Sequence, residues 1–367
     1  MAKEELTKIP EIDLILGINE KNEIVKYINE ALSHANKENI LQVSGVENQQ
    51  EFLDFGTVTH TETTRAVIKV QDGCNQFCSY CIIPYARGRI RSRKPQSVLQ
   101  EIQKISQEGI KEVVITGIHV ASYGKDFTEE TLAEINQALG QAKQEYYLID
   151  LLEDIQKIQG IERIRLGSLE PTLITEAFTE RLVKLNKICD HFHLSLQSGC
   201  NATLKRMNRK YTTEQFEKVA QLLRQAFSNV HLTTDIIVGF PGETEEEFET
   251  TYDFLKKIQF YKMHVFQYSP RKGTVASTMP NQIEGNIKEE RSKKLIQLSN
   301  GNQKAYHEVY LGKQVQVLFE EQQDGYIKGH TTNYMVVKIQ TQKNLANTIQ
   351  MVKIVDSNEA ELVGELQ

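Results

Sequence analysis

Residues 72–88 read DGCNQFCSYCIIPYARG, and three of the chain's five cysteines fall inside that stretch, Cys74, Cys78 and Cys81, spaced C-x3-C-x2-C. They come directly after AVIKVQ (66–71), an apolar and β-branched run that reads as a strand. Three thiolates suit three irons of a 4Fe–4S cubane, because cysteine sulfur is the usual protein ligand of such clusters. The fourth iron is left for a ligand from outside the chain. A structural zinc ion would want four protein donors, usually as two paired C-x2-C units. No fourth Cys or His lies in the loop, and the next cysteine is Cys189. A loop rich in Gly, Asn and Ser is also a poor place to bury three thiols by accident.

Outward from this loop a βα rhythm runs along the chain. VLQEIQKISQEG (98–109) is amphipathic and ends on a glycine, as helices often do. KEVVITG (111–117), RIRLGS (163–168), HFHLSL (191–196), HLTTDIIVG (231–239) and KMHVFQYS (262–269) read as strands, with helical segments between them at 129–158, 172–187, 213–227 and 244–258. Thr244 with Glu247 forms a capping-box signature. Six strands alternating with helices predict a parallel sheet, open or curled into a partial barrel. A polar helix is expected over 284–309. After Lys313 the pattern changes to short β-type runs split by turns, which predicts a small antiparallel barrel. Before the rhythm begins, DLILG (13–17) reads as a strand and 19–35 as an amphipathic helix, followed by a polar, irregular stretch to about Glu62. One strand and one helix cannot enclose a core alone.

The composition is that of a globular protein. The 367 residues are 40% hydrophobic and 25% charged, with 21 Gly and 7 Pro. There is no run of eighteen apolar residues to span a bilayer. The opening MAKEELTKIPEID lacks an apolar signal region, and an odd cysteine count argues against a disulfide framework. The expectation is a cytoplasmic protein with no membrane partner. A net charge of −6 disfavours nucleic acid globally, but distribution matters more than the total. Residues 87–94, RGRIRSRK, hold five cations and no acid, and Lys205, Arg206, Arg209 and Lys210 form a second basic group.

At these residues the chain resembles the radical S-adenosylmethionine (SAM) superfamily and, more narrowly, its methylthiotransferases. The resemblance runs from about Lys8 to the C-terminus. It rests on the cysteines with IIPYARGRIRSR (82–93), TGIHVASYG (116–124), RIRLGSLEP (163–171), HLSLQSG (193–199), LKRMNRKYT (204–212) and DIIVGFPGETEEEF (235–248). It implies an α/β fold, a partial (β/α)6 radical SAM barrel over 63–304, followed by an all-β TRAM barrel over 305–367 that binds RNA. It implies a 4Fe–4S cluster on Cys74, Cys78 and Cys81 that cleaves SAM reductively, with an electron donor such as flavodoxin or ferredoxin and a monomeric state. It places SAM against Tyr80, Gly117, Ser168, Gln197, Arg209 and Ile237; Glu170 and Arg209 could equally form a buried ion pair. CIIPYARGRIRSR together with SLEP is most similar to the branch that adds a methylthio group to C2 of N6-threonylcarbamoyladenosine in tRNA, beside the anticodon.

Three further expectations follow from the resemblance. Full-length members carry an N-terminal domain whose three cysteines hold a second 4Fe–4S cluster. Residues 1–62 resemble only the end of that domain plus a linker, and no cysteine precedes Cys74. The alternatives are therefore SAM cleavage without thiolation and a non-catalytic tRNA-binding protein. Arg87, Arg89, Arg91 and Arg93 recur at spacing two, which puts them on one face if the segment is extended. We expect that face to bind the substrate, with RNA favoured for Arg89, Arg91 and Arg93 and pairing within the protein open to Arg87. Residues 128–146 read as an inserted surface helix.

Overall fold

The computed structural model describes residues 3–33, 40–46, 51–56 and 64–366. Parts of the expected linker up to Glu62 lie outside the described residues. Near the N-terminus β1 (Leu14–Leu16) pairs in parallel with β2 (Ile40–Gln42), beside the helix Ile24–Ser33.

The central body is built on β3 (Arg65–Asp72), β4 (Arg91–Ser92), β5 (Glu112–Gly117), β6 (Arg163–Leu166), β7 (His191–His193), β8 (His231–Val238) and β9 (Lys262–Gln267). The order β4-β3-β5-β6 makes one sheet and β7-β8-β9 another. Parallel bridges Ile164–Ile188 and Leu169–Leu194 carry the curve from β6 to β7. Only the two-residue β4 is antiparallel in this body. Among the described residues β9 does not pair with β3, so the barrel is open there. Alternate residues of each strand, such as Ala66, Ile68 and Val70 or Phe192 and Leu194, pack outward against the helices. The period of two then turns Gln71, Gln197 and Ile237 to the other face.

The helices begin where local chemistry allows. Thr212 and Thr244 form capping boxes with Gln215 and Glu247, and Pro95 occupies the first turn of Pro95–Gln107, where its missing N–H costs nothing. The stretch 129–158 divides into Glu129–Leu139 and Leu148–Ile155, because Gly140 adopts a left-handed conformation at φ 62° and ends the first helix. That first helix was expected to be a surface insertion. Its Ile135 is fully buried, with Leu132 and Leu139 packed on the core, so it covers part of the barrel.

The helix Gly285–Glu308 crosses the expected boundary at residue 305 and leads to β10 (Gln314–Gln323). With β11 (Tyr326–Thr331), β12 (Val336–Gln340), β13 (Ile349–Ser357) and β14 (Leu362–Leu366) it closes a barrel ordered β10-β11-β12-β14-β13. One pairing, β12 with β14, is parallel, which departs from the all-antiparallel expectation. Val317, Phe319, Ile327, Val337 and Ile354 fill it.

This small barrel sits under the N-terminal ends of the parallel strands. Arg65, at the start of β3, meets Glu320 at 3.2 Å. Arg163 donates to the His330 carbonyl at 2.8 Å, and Arg165 to the carbonyls of Thr332 and Thr331 at 3.0 and 3.2 Å. His191 stacks on Tyr334 with ring centroids 4.8 Å apart. The cysteine loop follows the opposite, C-terminal end of β3, where barrels of this kind carry their sites. No helix among the described residues is long and apolar enough to cross a membrane.

Candidate cluster site and cofactor cavity

The loop after β3 is built by close approach. Gly73 has φ 68°, and a Cβ there would lie 1.8 Å from the Arg89 carbonyl oxygen, so no other residue fits. Its N–H donates to the Asp72 carboxylate at 2.8 Å, and the Cys74 N–H to the Gly88 carbonyl at 3.1 Å. Gln71, fully buried, donates to the carbonyls of Asp72 and Gly73 and accepts from the His119 N–H. A Cβ on Gly117 would come within 2.9 Å of Gln71, which explains the glycine at the end of β5. The far side of the loop is held by other segments. The Ser79 hydroxyl donates to the Arg206 carbonyl at 2.8 Å, and the Asn208 amide to the Phe77 carbonyl at 2.8 Å.

Cys74 and Cys78 are buried, Cys81 half-buried, and all three are free thiols. Burial pushes Cys74 up to about 11, and Cys81 upward as well, so these thiols stay protonated at neutral pH. Binding a cluster would release their protons. Among the described residues no three His, Cys, Asp or Glu converge on a single ion. A cubane does not ask for that, since each thiolate takes its own iron. N–H donors already point at the sulfurs: the Gln76 amide lies 3.4 Å from Cys74 Sγ and the Arg209 Nη1 3.2 Å from Cys78 Sγ. Three thiols on one braced loop, with sulfur-directed donors, fit the cluster.

Arg209 is nearly buried and uses its whole fork. Beyond Cys78 it donates to Glu170 Oε2 at 2.8 Å, the Ser195 carbonyl at 2.9 Å and the Tyr211 hydroxyl at 3.0 Å. The ion pair expected as an alternative is therefore present. His119 Nε2 stands 3.7 Å from the same Glu170 oxygen and 3.3 Å from Gln76 Nε2. Sequence reasoning did not single out His119 or Gln76, although His119 lies inside the TGIHVASYG block.

Beside Cys81 opens a cavity of about 460 Å³. Tyr80, Gln197 and Ile237 line it, joined by Phe266 and Arg271, which the sequence had not flagged. Gln197 holds φ 70° and bridges to β8 through N–H and carbonyl bonds with Asp235 and Ile237. Gly117 and Ser168 stand at the ends of β5 and β6, outside the lining of this cavity.

The arginine stripe does not present one face. Arg91 is 1% exposed: it donates to the carbonyls of Arg87 and Arg89 and lies 3.7 Å from Asp72. Arg93, also buried, pairs with Asp54 at 3.0 Å and with Glu101. Both were expected to bind substrate, and the structure turns both inward, because nearby acids and carbonyls satisfy them. Arg87 lies 3.9 Å from Asp72 and is partly exposed. Arg89 is exposed, with its guanidinium 4.7 Å from the Phe77 ring centroid.

A partial parallel barrel with three cysteines on the loop after its first long strand defines the Radical SAM superfamily, whose sequence model matches residues 68–255. The chain is 36% identical over 368 residues to the threonylcarbamoyladenosine tRNA methylthiotransferase MtaB of Bacillus subtilis (strain 168), covering 98% of this chain and 78% of that protein. It is 36% identical to the MtaB of Aquifex aeolicus (strain VF5), covering 95% and 80%. It is 34% identical to the tRNA-2-methylthio-N(6)-dimethylallyladenosine synthase of Caldicellulosiruptor saccharolyticus, covering 99% and 74%. The chain belongs to the radical SAM tRNA methylthiotransferases.

Proposed function

We propose that this enzyme adds a methylthio group to C2 of N6-threonylcarbamoyladenosine in tRNA. Two of the relatives above carry that substrate in their names. The observation that carries the finer reading is Arg271. Its exposed guanidinium lines the cavity beside Cys81 and has no ion-pair partner among the described residues. A threonylcarbamoyl group offers a carboxylate, the natural partner of a guanidinium fork. A dimethylallyl group offers only apolar surface.

Cys74, Cys78 and Cys81 would hold the cluster, and Tyr80, Gln197 and Ile237 would line the SAM site. When bound, the cluster and SAM supply reductive cleavage of the sulfonium bond to a 5′-deoxyadenosyl radical. The protein's share is placement. Gln71, Asn208 and Ser79 fix the loop, and Arg209 fixes Cys78 against Glu170. Tyr80 packs edge-on against Phe240, with centroids 6.3 Å apart, which holds one wall of the cavity.

The test compares anticodon stem-loops carrying either modified adenosine, with products read by mass spectrometry. The expected result is methylthiolation of the threonylcarbamoyl substrate, with the preference lost in Arg271→Ala. Equal turnover of the dimethylallyl substrate by the parent would overturn the assignment.

A second reading, SAM cleavage without thiolation, is favoured by the remaining cysteines. Cys189 is fully buried, pushed up to about 12 by that burial, and Cys200 is buried on another loop. Neither is placed to hold a second cluster. On this reading the 367-residue chain releases 5′-deoxyadenosine and no methylthio product, and repeated thiolation by it would refute the reading.

A further inference from the structure

We infer that Phe77, Tyr85 and Arg89 form a stacking ledge for an unpaired RNA base that flanks the modified adenosine. The inference rests on tRNA being the substrate, and it extends that reading to a binding surface beside the cluster loop.

Three flat groups meet there. Phe77 directly precedes Cys78, and its ring lies edge-to-face with Tyr85, centroids 5.7 Å apart and planes at 80°. The Arg89 guanidinium lies over the same Phe77 ring at 4.7 Å. Tyr85 is 50% exposed although it sits in the short helix Ile83–Ala86 among buried and half-buried neighbours. Arg89 is exposed and, among the described residues, has no ion pair with an acid. The ledge is held rather than loose. Phe77 takes φ 52°, uncommon for a residue with a side chain, and its carbonyl is pinned by the Asn208 amide at 2.8 Å. Gly88, at φ 77°, turns the chain so that Arg89 returns over Phe77.

An exposed tyrosine and a half-buried phenylalanine, beside a guanidinium with no acid partner among the described residues, do not serve the core. Water gains nothing from them, whereas a nucleic-acid base can stack on the exposed Tyr85 ring or on the Arg89 plane that Phe77 backs. Proteins bind unpaired bases by stacking on aromatic side chains and on Arg planes. An enzyme that acts on a base takes it out of the stack, which leaves the flanking bases without a neighbour. The ledge begins one residue from a cluster cysteine, so a base stacked on it lies next to the one presented to the radical. Arg89, with Arg87 nearby, supplies the positive charge a phosphate backbone requires.

The experiment uses the reconstituted full chain and an anticodon stem-loop RNA, either intact or with one base beside the target adenosine replaced by an abasic site. The parent should lose about tenfold in affinity when the stacked base is removed. Tyr85→Ala should bind intact RNA about tenfold more weakly, stop discriminating the abasic RNA and keep the parent's salt slope, since the ring carries no charge. Tyr85→Trp should restore discrimination. Arg89→Lys, which keeps the charge and loses the plane, should lose part of it with the slope unchanged, and it carries the test if Tyr85→Ala fails to fold by circular dichroism. If these variants discriminate as the parent does, the ledge is not a stacking site. If the parent itself binds neither RNA, the tRNA reading falls, and the ledge with it.

Discussion

The Arg165 guanidinium lies 4.7 Å from the centroid of the Tyr334 ring, tying the floor of the parallel barrel to the C-terminal barrel. Arg165 is buried and donates to Glu112 at 2.7 Å on one side and to two carbonyls of the small barrel on the other. A buried charge of this kind is tolerable only while every partner remains. Tyr334→Ala should therefore lower stability by about 2 kcal/mol, and Tyr334→Phe by less, because the ring over Arg165 remains. Thermal unfolding of the two variants checks this. Deleting residues 305–367 should lower stability strongly, since it strips Arg163 and Arg165 of their carbonyl acceptors in the small barrel.

The cluster loop gives a second expectation. Reconstituted parent should carry about four irons per chain, and Cys78→Ala should abolish SAM cleavage. Gly73→Ala should lose iron too, because its Cβ would meet the Arg89 carbonyl. Gly56→Ala tests positive φ without a clash: Gly56 has φ 76° and, among the described residues, nothing within 4 Å of an added Cβ. It should retain iron, and equal loss in both would show that the close contact is irrelevant.

Acid should loosen the floor. Burial depresses His231 to about 3, and depresses His191 strongly. His231 is packed by Tyr261, Tyr306, Tyr310 and Asn333 and repelled by His307. His191 faces Thr233, Tyr334, Arg165, His193 and His264. Because the folded values lie below the unfolded one, the unfolded chain binds more protons between them. Stability is then complete above about pH 6.5 and falls as pH drops, by about 2 kcal/mol from pH 7 to 5 for His231 alone. The melting temperature of the parent should fall more steeply than that of His231→Phe as pH drops across that range; parallel curves would remove His231 from the account.

Cations of the small barrel can be ranked as candidate phosphate contacts by the partners they already have. Lys328 lies 2.6 Å from Glu361, Lys338 4.0 Å from the same residue, and His330 pairs with Glu320. Lys353 is exposed, and Lys313 lies over the Tyr310 ring at 5.4 Å. Replacing Lys353 or Lys313 by Ala should reduce the salt slope of tRNA binding by about one each, and Lys328→Ala by less. Filter binding at several salt concentrations would read this directly.

The sequence by itself determined the local features: the cysteine spacing, the order of six strands and their helices, the Thr244 cap and the change to β-type runs after Lys313. Each depends on residues close in the chain or on a period of two or 3.6, so each can be read without knowing what lies opposite. Tertiary structure alone decided which arginines face out. Spacing two put four on one face, but β4 is only two residues long, Gly88 turns the chain ahead of it, and Asp72, Asp54 and Glu101 draw Arg91 and Arg93 inward. It also decided that Tyr80, Gln197, Ile237, Phe266 and Arg271 share one cavity, and that the small barrel lies beneath the strands rather than beside the cluster. Those outcomes depend on contacts between residues far apart in the chain, such as Arg163 with His330, 167 positions on, and Arg65 with Glu320, 255 positions on. No local pattern encodes such a pairing, because it forms only when two separately folded surfaces satisfy each other's buried charges.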